Sequence, residues 1–177
     1  MCASISTELK PAAGRGIDGP VGAAKEAVTL SEHVIEIVSD SGEGAQRCGQ
    51  SFGAIAARMG NGVWTVEIIP AEIQPPARSI AGASGNRIRI GTRRVANGGN
   101  EADLVVAFNE QVLLGRVRER ELKPGCIILL ESMWRDHPDA GIAAAYRETF
   151  GQLVRDGYDV REIPMEQECR RLVSDPR

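Results

Sequence analysis

The sequence predicts an α/β fold: three layers built on a doubly wound, mostly parallel sheet of about six strands, with helices on both faces. Three observations predict it. From His33 onward, short runs rich in Val and Ile alternate with amphipathic segments, the pattern of successive strand–helix–strand units. Two of the runs, 103–108 and 126–130, are almost continuously apolar, as strands buried on both faces are. Aromatic residues make up only 4% of the 177 while glycine occurs 20 times, so core volume must come from Val, Ile, Leu and Ala, which suits a layered sheet better than an aromatic-rich sandwich.

The length is that of one domain. Residues 1–30 are rich in Ala, Gly, Pro, Ser and Thr without an apolar period, so a flexible N-terminal arm is expected there and a folded domain over 31–177. The first strand is placed at 34–38 and stops at the turn formers Ser39-Asp40-Ser41-Gly42-Glu43-Gly44. In the helix that follows, Phe52, Ile55, Ala56 and Met59 recur at i, i+3, i+4 and i+7 as one apolar stripe, and Gly49 and Gly53 allow close approach to the sheet. Gly60-Asn61-Gly62 ends that helix. A second strand over 63–69 halts at Pro70, since proline cannot donate to a ladder. The polar, proline-bearing stretch 70–85 has neither period and is expected to be a functional or disordered loop.

Residues 86–91 alternate like a half-exposed strand, and Arg93-Arg94-Val95 is placed back on it as a hairpin. Asn109 closes the strand at 103–108, and a helix is expected over 110–121. Lys123-Pro124-Gly125 reads as a stop and turn before the strand at 126–130. A helix over 142–156 capped by Gly157, a strand over 158–163 and a last helix opened by Pro164 and ending near Ser174 complete the pattern.

Net charge is −3 and the arginines are interspersed with acids, leaving no basic stripe for a phosphate backbone, so no nucleic-acid partner is expected. No apolar run approaches the roughly 20 residues that span a bilayer, and the N-terminus lacks signal-peptide order, so no membrane partner is expected and the location is read as cytoplasmic. The four cysteines, Cys2, Cys48, Cys126 and Cys169, are far apart and there are two histidines. No metal or cluster set can be drawn from that spacing. Free thiols are expected, with Cys126 in the core and Cys48 beside a glycine-rich turn where a helix N-terminus can lower a thiol pKa.

Ser41-Gly42-Glu43-Gly44-Ala45-Gln46 is the best local site signal, because small residues between strand and helix expose N–H groups at a positive helix end. Such a turn either cradles a phosphate or carboxylate or simply joins two elements. A dinucleotide fingerprint needs glycine where Arg47 stands, and a P-loop needs lysine where Gln50 stands. No acid follows the second strand to hold a ribose. NTPase and NAD readings are therefore disfavoured. Arg87, Arg89, Arg93 and Arg94 line either an anion groove or, the favoured reading, the solvated face of an edge hairpin. Glu43 and Glu72 are read as separate loop carboxylates in preference to an acid pair. His33 and His137 have no partner at catalytic spacing, so no catalytic residue is nominated.

Ser39-Asp40-Ser41-Gly42-Glu43-Gly44-Ala45-Gln46, Phe52, Pro70-Ala71-Glu72-Ile73, Ala81-Gly82-Ala83-Ser84-Gly85, Ala102-Asp103-Leu104-Val105-Val106-Ala107-Phe108-Asn109 and Leu122-Lys123-Pro124-Gly125 carry a resemblance. In order and spacing, over roughly residues 34–172, they resemble the γ domain, N-terminal in the fused α subunit, of 2-oxoglutarate:ferredoxin oxidoreductases in the 2-oxoacid:acceptor oxidoreductase family. The resemblance implies a Rossmann-like fold and a place in a larger complex that decarboxylates a 2-oxoacid on thiamine diphosphate with Mg. Electrons there leave through a 4Fe-4S cluster to ferredoxin, and coenzyme A takes the acyl group. It implies no cofactor bound by this chain alone and no catalysis by this chain alone. Its partners would be the thiamine-binding α-type domain and the β subunit of the same complex, and its role would be to close the active site and help bind coenzyme A.

The residues expected to do this, by binding and closure, are Ser41, Gly42, Glu43, Gly44 and Gln46, with Glu72, Arg78, Ser79 and Asn109 behind them. Four positions depart from the pattern: Gln74 where arginine is usual, Pro75 and Arg78 in place of small residues, and Cys48 in place of threonine. A pyruvate or indolepyruvate oxidoreductase γ subunit, a free-standing coenzyme A or nucleotide module, and an assembly subunit stay open as alternatives. Fused relatives run on past the position of Arg177, so a split γ subunit or a fragment is expected.

Overall fold

A computed structural model describes residues 29–71 and 76–174. The arm expected at 1–30 thus falls almost wholly outside the described residues, as does Glu72. The elements run β1 (Glu32–Asp40), α1 (Ala45–Arg58), β2 (Gly62–Ile68), β3 (Ala83–Gly91), β4 (Ala102–Ala107), α2 (Glu110–Arg118), β5 (Leu122–Glu131), α3 (Ala140–Arg155), β6 (Asp159–Ile163) and α4 (Met165–Ser174). They form one six-stranded sheet in the order β2-β3-β1-β4-β5-β6. β1, β4, β5 and β6 are parallel, and β3 runs antiparallel between β1 and β2. The layered, mostly parallel, Rossmann-like class is therefore the observed one.

Handedness decides where the helices lie. The connections β4–α2–β5 and β5–α3–β6 step the same way across the sheet, and right-handed crossovers put both helices on one face. There Val112 and Leu113 of α2 and Tyr146 and Leu153 of α3 close a core over Val34, Val38, Val105, Ile128 and Leu130. The connection through α1 steps the other way, so α1 covers the opposite face, over Ile35, Ile37 and Ile88. β1 is buried on both faces because helices cover both.

Three expectations need correction. In α1 the inward face is made of small residues, Ala45, Gly49, Gly53 and Ala56, while Phe52, Ile55 and Met59 of the expected stripe are exposed. The helix lies too close to the sheet for large side chains: a Cβ on Gly49 would fall 2.4 Å from Asn86 Cβ. Arg93-Arg94-Val95 forms no hairpin; β3 instead starts earlier, at Ala83, and is paired on both sides. Lys123-Pro124-Gly125 lies inside β5, where Gly125 takes φ 74 and the register to β4 shifts. A bulge absorbs the proline that would otherwise interrupt a ladder.

The arginines of β3, Arg87 and Arg89, form neither an anion groove nor the solvated face of an edge hairpin: β3 is paired on both sides and both side chains are ion-paired. The carboxylate of Glu36, fully buried on β1, accepts from Arg87 Nε at 2.8 Å and from Arg116 Nε and Nη2 at 3.0 and 2.7 Å. Arg87 also pairs with Glu121, and Arg89 with Glu32 at 2.6 Å. Those charges are neutralised within the fold. No helix among the described residues is long and apolar enough to cross a membrane.

Candidate functional site at the carboxyl rim of the sheet

Strand order reverses between β1 and β4: the chain leaves β1 toward β2 and leaves β4 toward β5. Ligands of open α/β sheets bind outside the carboxyl ends of the strands at such a point. Here the carboxyl ends of β1 and β4, the turn before α1, the loop at 76–79 and the start of α2 meet.

β1 ends in Asp40, only 7% exposed. Its Oδ2 accepts from the backbone N–H of Arg78 at 2.7 Å, and its own N–H donates to Glu43 Oε2 at 3.0 Å. The turn 41–44 is exposed, with Gly42 and Gly44 at φ 92 and 94, a conformation that glycine adopts without strain. No side chain caps α1 after Gly44. Partial burial raises the Glu43 pKa; the Asp40 N–H opposes this, the Asp40 charge adds to it and Arg78 opposes it.

Arg78 holds φ 56, unusual for a residue with a side chain. Its Nη2 pairs with the fully buried Glu110 and its guanidinium lies over the Trp134 ring at 4.4 Å. Trp134 is fixed in turn by donating Nε1–H to the Phe108 carbonyl at 2.6 Å. Asn109 caps α2 by accepting from the N–H groups of Gln111 and Val112 at 3.0 and 3.1 Å. Asp40 Oδ1, Arg78 Nη1, Ser79 Oγ, Asn109 Nδ2 and Glu110 Oε2 are buried and find no hydrogen-bond partner among the described residues. Buried polar atoms are nearly always paired, so this concentration at one rim marks a place suited to a polar ligand.

Beside the rim lies a cleft of about 450 Å³ lined by Glu43, Phe108, Glu131, Met133, Trp134, Met165, Glu166 and Cys169. Glu131 sets its back wall. Its Oε2 accepts from Glu166 N–H at 2.8 Å in the first turn of α4, and its Oε1 accepts from Met133 N–H at 2.9 Å.

Of the sequence-predicted residues, the structure brings Glu43, Arg78, Ser79 and Asn109 to this rim, with Ser41, Gly42 and Gly44 in the turn beside them. Gln46 is turned away: its Nε2 donates to the Ile68 carbonyl at 3.5 Å and its carbonyl accepts from Asn86 Nδ2 at 2.9 Å. Asp40, Glu110, Glu131 and Trp134 were missed. The signal available for two of them was an acid at the end of a strand otherwise rich in Val, Ile or Leu. Cys48 is not activated by its helix; burial and the neighbouring Cys169 push its pKa up. Burial pushes the Cys126 thiol to about 12, with Asp103 and Glu36 adding to the rise. Among the described residues no three His, Cys, Asp or Glu side chains gather as a metal-ligand set.

Fold and rim together define a class of protein: a Rossmann-like α/β domain with a polar crevice at its strand-order reversal. The model of the family "Pyruvate ferredoxin/flavodoxin oxidoreductase" matches residues 34–176, and the chain belongs to that family. It is 32% identical over 115 residues to the 2-oxoglutarate oxidoreductase subunit KorA of Mycobacterium tuberculosis (strain ATCC 25618 / H37Rv), a match covering 65% of this chain and 17% of that protein.

Among solved structures it is similar to the 2-oxoglutarate:ferredoxin oxidoreductase from Magnetococcus marinus with 2-oxoglutarate, coenzyme A and succinyl-CoA bound, at TM-score 0.57 and 23% identity, over 82% of this chain and 22% of that one. The γ subunit of a keto/oxoacid ferredoxin oxidoreductase from Geobacter sulfurreducens PCA gives TM-score 0.50 and 14% identity over 76% of this chain and 62% of that one. At these identities the structural likeness speaks for the fold. The chain spans less than a quarter of the Mycobacterium and Magnetococcus chains.

Proposed function

We propose that this chain is the γ-type part of a thiamine-dependent 2-oxoacid:ferredoxin oxidoreductase, with 2-oxoglutarate the favoured substrate, and that it closes the active site and helps to hold coenzyme A at its carboxyl rim. The observation that carries the reading is the clamp from Glu43 through Asp40 to Arg78, which fixes the exposed glycine turn beside a guanidinium whose Nη1 has no partner among the described residues.

The chemistry of the rim matches that of the coenzyme. N–H groups at the uncapped start of α1 suit a phosphate, Arg78 adds positive charge, and the cleft lined by Phe108, Met133, Trp134 and Met165 suits a less polar arm. That cleft is within the size range of small-molecule sites. The Magnetococcus marinus relative is described with coenzyme A bound, which supports the same choice here.

In such an enzyme thiamine diphosphate supplies the electron sink for decarboxylation. As the family resemblance implies, its magnesium and a 4Fe-4S cluster are assigned to the thiamine-binding α-type domain and β subunit, with ferredoxin receiving the electrons. What this chain's own residues contribute is binding, orientation and the exclusion of water.

The test uses the assembled oxidoreductase. Gly44→Asp puts a negative charge into the turn, while Gly44→Asn, a residue about as tolerant of the positive φ, does not. The apparent KM for coenzyme A should rise by about tenfold in the first and much less in the second, with kcat little changed. An equal KM in both variants and the parent would overturn the coenzyme A assignment. Parallel assays with 2-oxoglutarate, pyruvate and indolepyruvate decide the substrate.

A further inference from the structure

Two exposed thiols flank the cleft at the carboxyl rim. Cys48 lies in the first turn of α1, its N–H donating to the Gly44 carbonyl at 2.9 Å, so it stands one helical turn beyond the glycine turn that carries Glu43. With 3.6 residues per turn, it shares a flank of α1 with Phe52, Ile55 and Met59, all exposed. Cys169 lies on α4, where with Met165 and Glu166 it forms one wall of the cleft that Glu43 also lines. Both cysteines are free and exposed. They are close enough that the Cys169 charge adds to burial in raising the Cys48 pKa. Cys126, 2% exposed in the core, is no competitor for either.

α4 is held at one end. Its first turn is fixed where the Glu166 N–H donates to Glu131 Oε2 at 2.8 Å, directly after Pro164. Beyond that turn the grip weakens. Every residue from Cys169 to Ser174 is exposed, and Arg170, Arg171 and Ser174 donate to Glu166, Glu168 and Arg170 of the same helix. Segments with few buried contacts are the first to move. A disulfide needs Cα atoms within about 7 Å of each other, and a swing of α4 about its anchored turn supplies the approach.

We propose that Cys48 and Cys169 form a redox switch on the coenzyme A cleft: oxidation joins them as a disulfide that draws the α4 wall toward the glycine turn and narrows the cleft. The regulatory role rests on the functional reading above. The oxidant is a small aliphatic disulfide such as oxidised glutathione. The Cys169 thiolate attacks one of its sulfurs and expels a thiolate. Capping Cys169 removes its charge, the cause second to burial of the raised Cys48 pKa. Cys48 then loses its proton to solvent more readily, attacks the Cys169 sulfur and expels the second thiolate. One S–S bond forms in the protein as one breaks in the reagent, and the two electrons lost by the cysteines reduce the reagent to two thiols.

The experiment treats the assembled oxidoreductase, purified without oxygen and in reductant, with oxidised glutathione, and then blocks remaining thiols with iodoacetamide. Tryptic peptides 48–58 and 162–170 should appear joined, and dithiothreitol should separate them. The apparent KM for coenzyme A should rise by about tenfold on oxidation and return on reduction. Cys48→Ser should keep the KM of the reduced parent under the same oxidation, which separates the switch from damage elsewhere in the assembly. Glutathione left on Cys169 without the joined peptides, a bond to Cys2 in their place, or joined peptides with an unchanged KM would each overturn the switch and leave the functional reading standing. A reduced assembly that turns over no 2-oxoacid with coenzyme A would overturn the functional reading and with it the regulatory role, whatever the peptides show.

Discussion

The Arg78 guanidinium lies 4.4 Å above the ring of Trp134, and the same group neutralises Glu110, a carboxylate with no exposed surface. Arg78 thus ties the loop after β2 to the start of α2 and to the segment after β5. Arg78→Met would leave Glu110 buried without its partner, which costs about 3 to 5 kcal/mol. Adding Glu110→Gln to that variant should recover most of the loss. Urea denaturation of the four members of the cycle checks this, and additive effects would contradict the pairing.

Much of this molecule was legible in the sequence, for reasons particular residues make clear. The runs at 103–108 and 126–130 are apolar on both faces, and only a covered strand tolerates that. The flank of α1 was not legible, because Phe52, Ile55 and Met59 have the same spacing whether they meet a core or solvent. Ala45, Gly49, Gly53 and Ala56 decide it, and small residues carry no sign in a periodicity. The place of β3 was hidden because alternation says that a strand is half-buried, not between which strands it is inserted. At the rim, Arg78 and Asn109 stood out by type and position. Asp40 and Glu110 did not, since their burial depends on partners 38 and 32 residues away.

The surroundings of one glycine in α1 and one in α3 predict opposite signs for their replacement. A Cβ at Gly49 meets Asn86 Cβ at 2.4 Å, so Gly49→Ala must lift the helix and should destabilise by about 1 to 3 kcal/mol. At Gly151 in α3 the nearest group is the end of Arg155 at 3.2 Å, which can swing away. Gly151→Ala should therefore stabilise by about 0.5 to 1 kcal/mol. Thermal melts of the two variants separate the cases.

Asp103 couples the sheet to pH. Burial of its carboxyl is opposed by Lys123 Nζ at 2.6 Å, by the Val34 N–H at 2.8 Å and by His33, with the net effect of lowering its pKa from 3.8. Because the folded chain favours the charged form, the stabilisation is present above the unfolded value and lost as pH falls through the lower folded one. Urea midpoints should therefore drop below about pH 4, and Asp103→Asn should flatten that part of the profile. An unchanged acid limb in the variant would contradict the assignment.

The thiols should separate by reactivity. Cys126 is 2% exposed and its pKa is pushed to about 12, whereas Cys48 and Cys169 are exposed. Iodoacetamide at pH 8 followed by peptide mass analysis should label Cys48 and Cys169 in the folded protein, and Cys126 only after denaturant is added. Labelling of Cys126 at a similar rate in the folded protein would contradict its place in the core.

The central claim is that the crevice where strand order reverses is where this chain meets coenzyme A. Hydrogen–deuterium exchange of the purified oxidoreductase assembly, with and without coenzyme A, tests it most directly. Slowed exchange should concentrate at residues 41–47, 77–80 and 109–112, the turn, the Arg78 loop and the start of α2. Protection confined to other parts of the chain, or none at saturating coenzyme A, would contradict it.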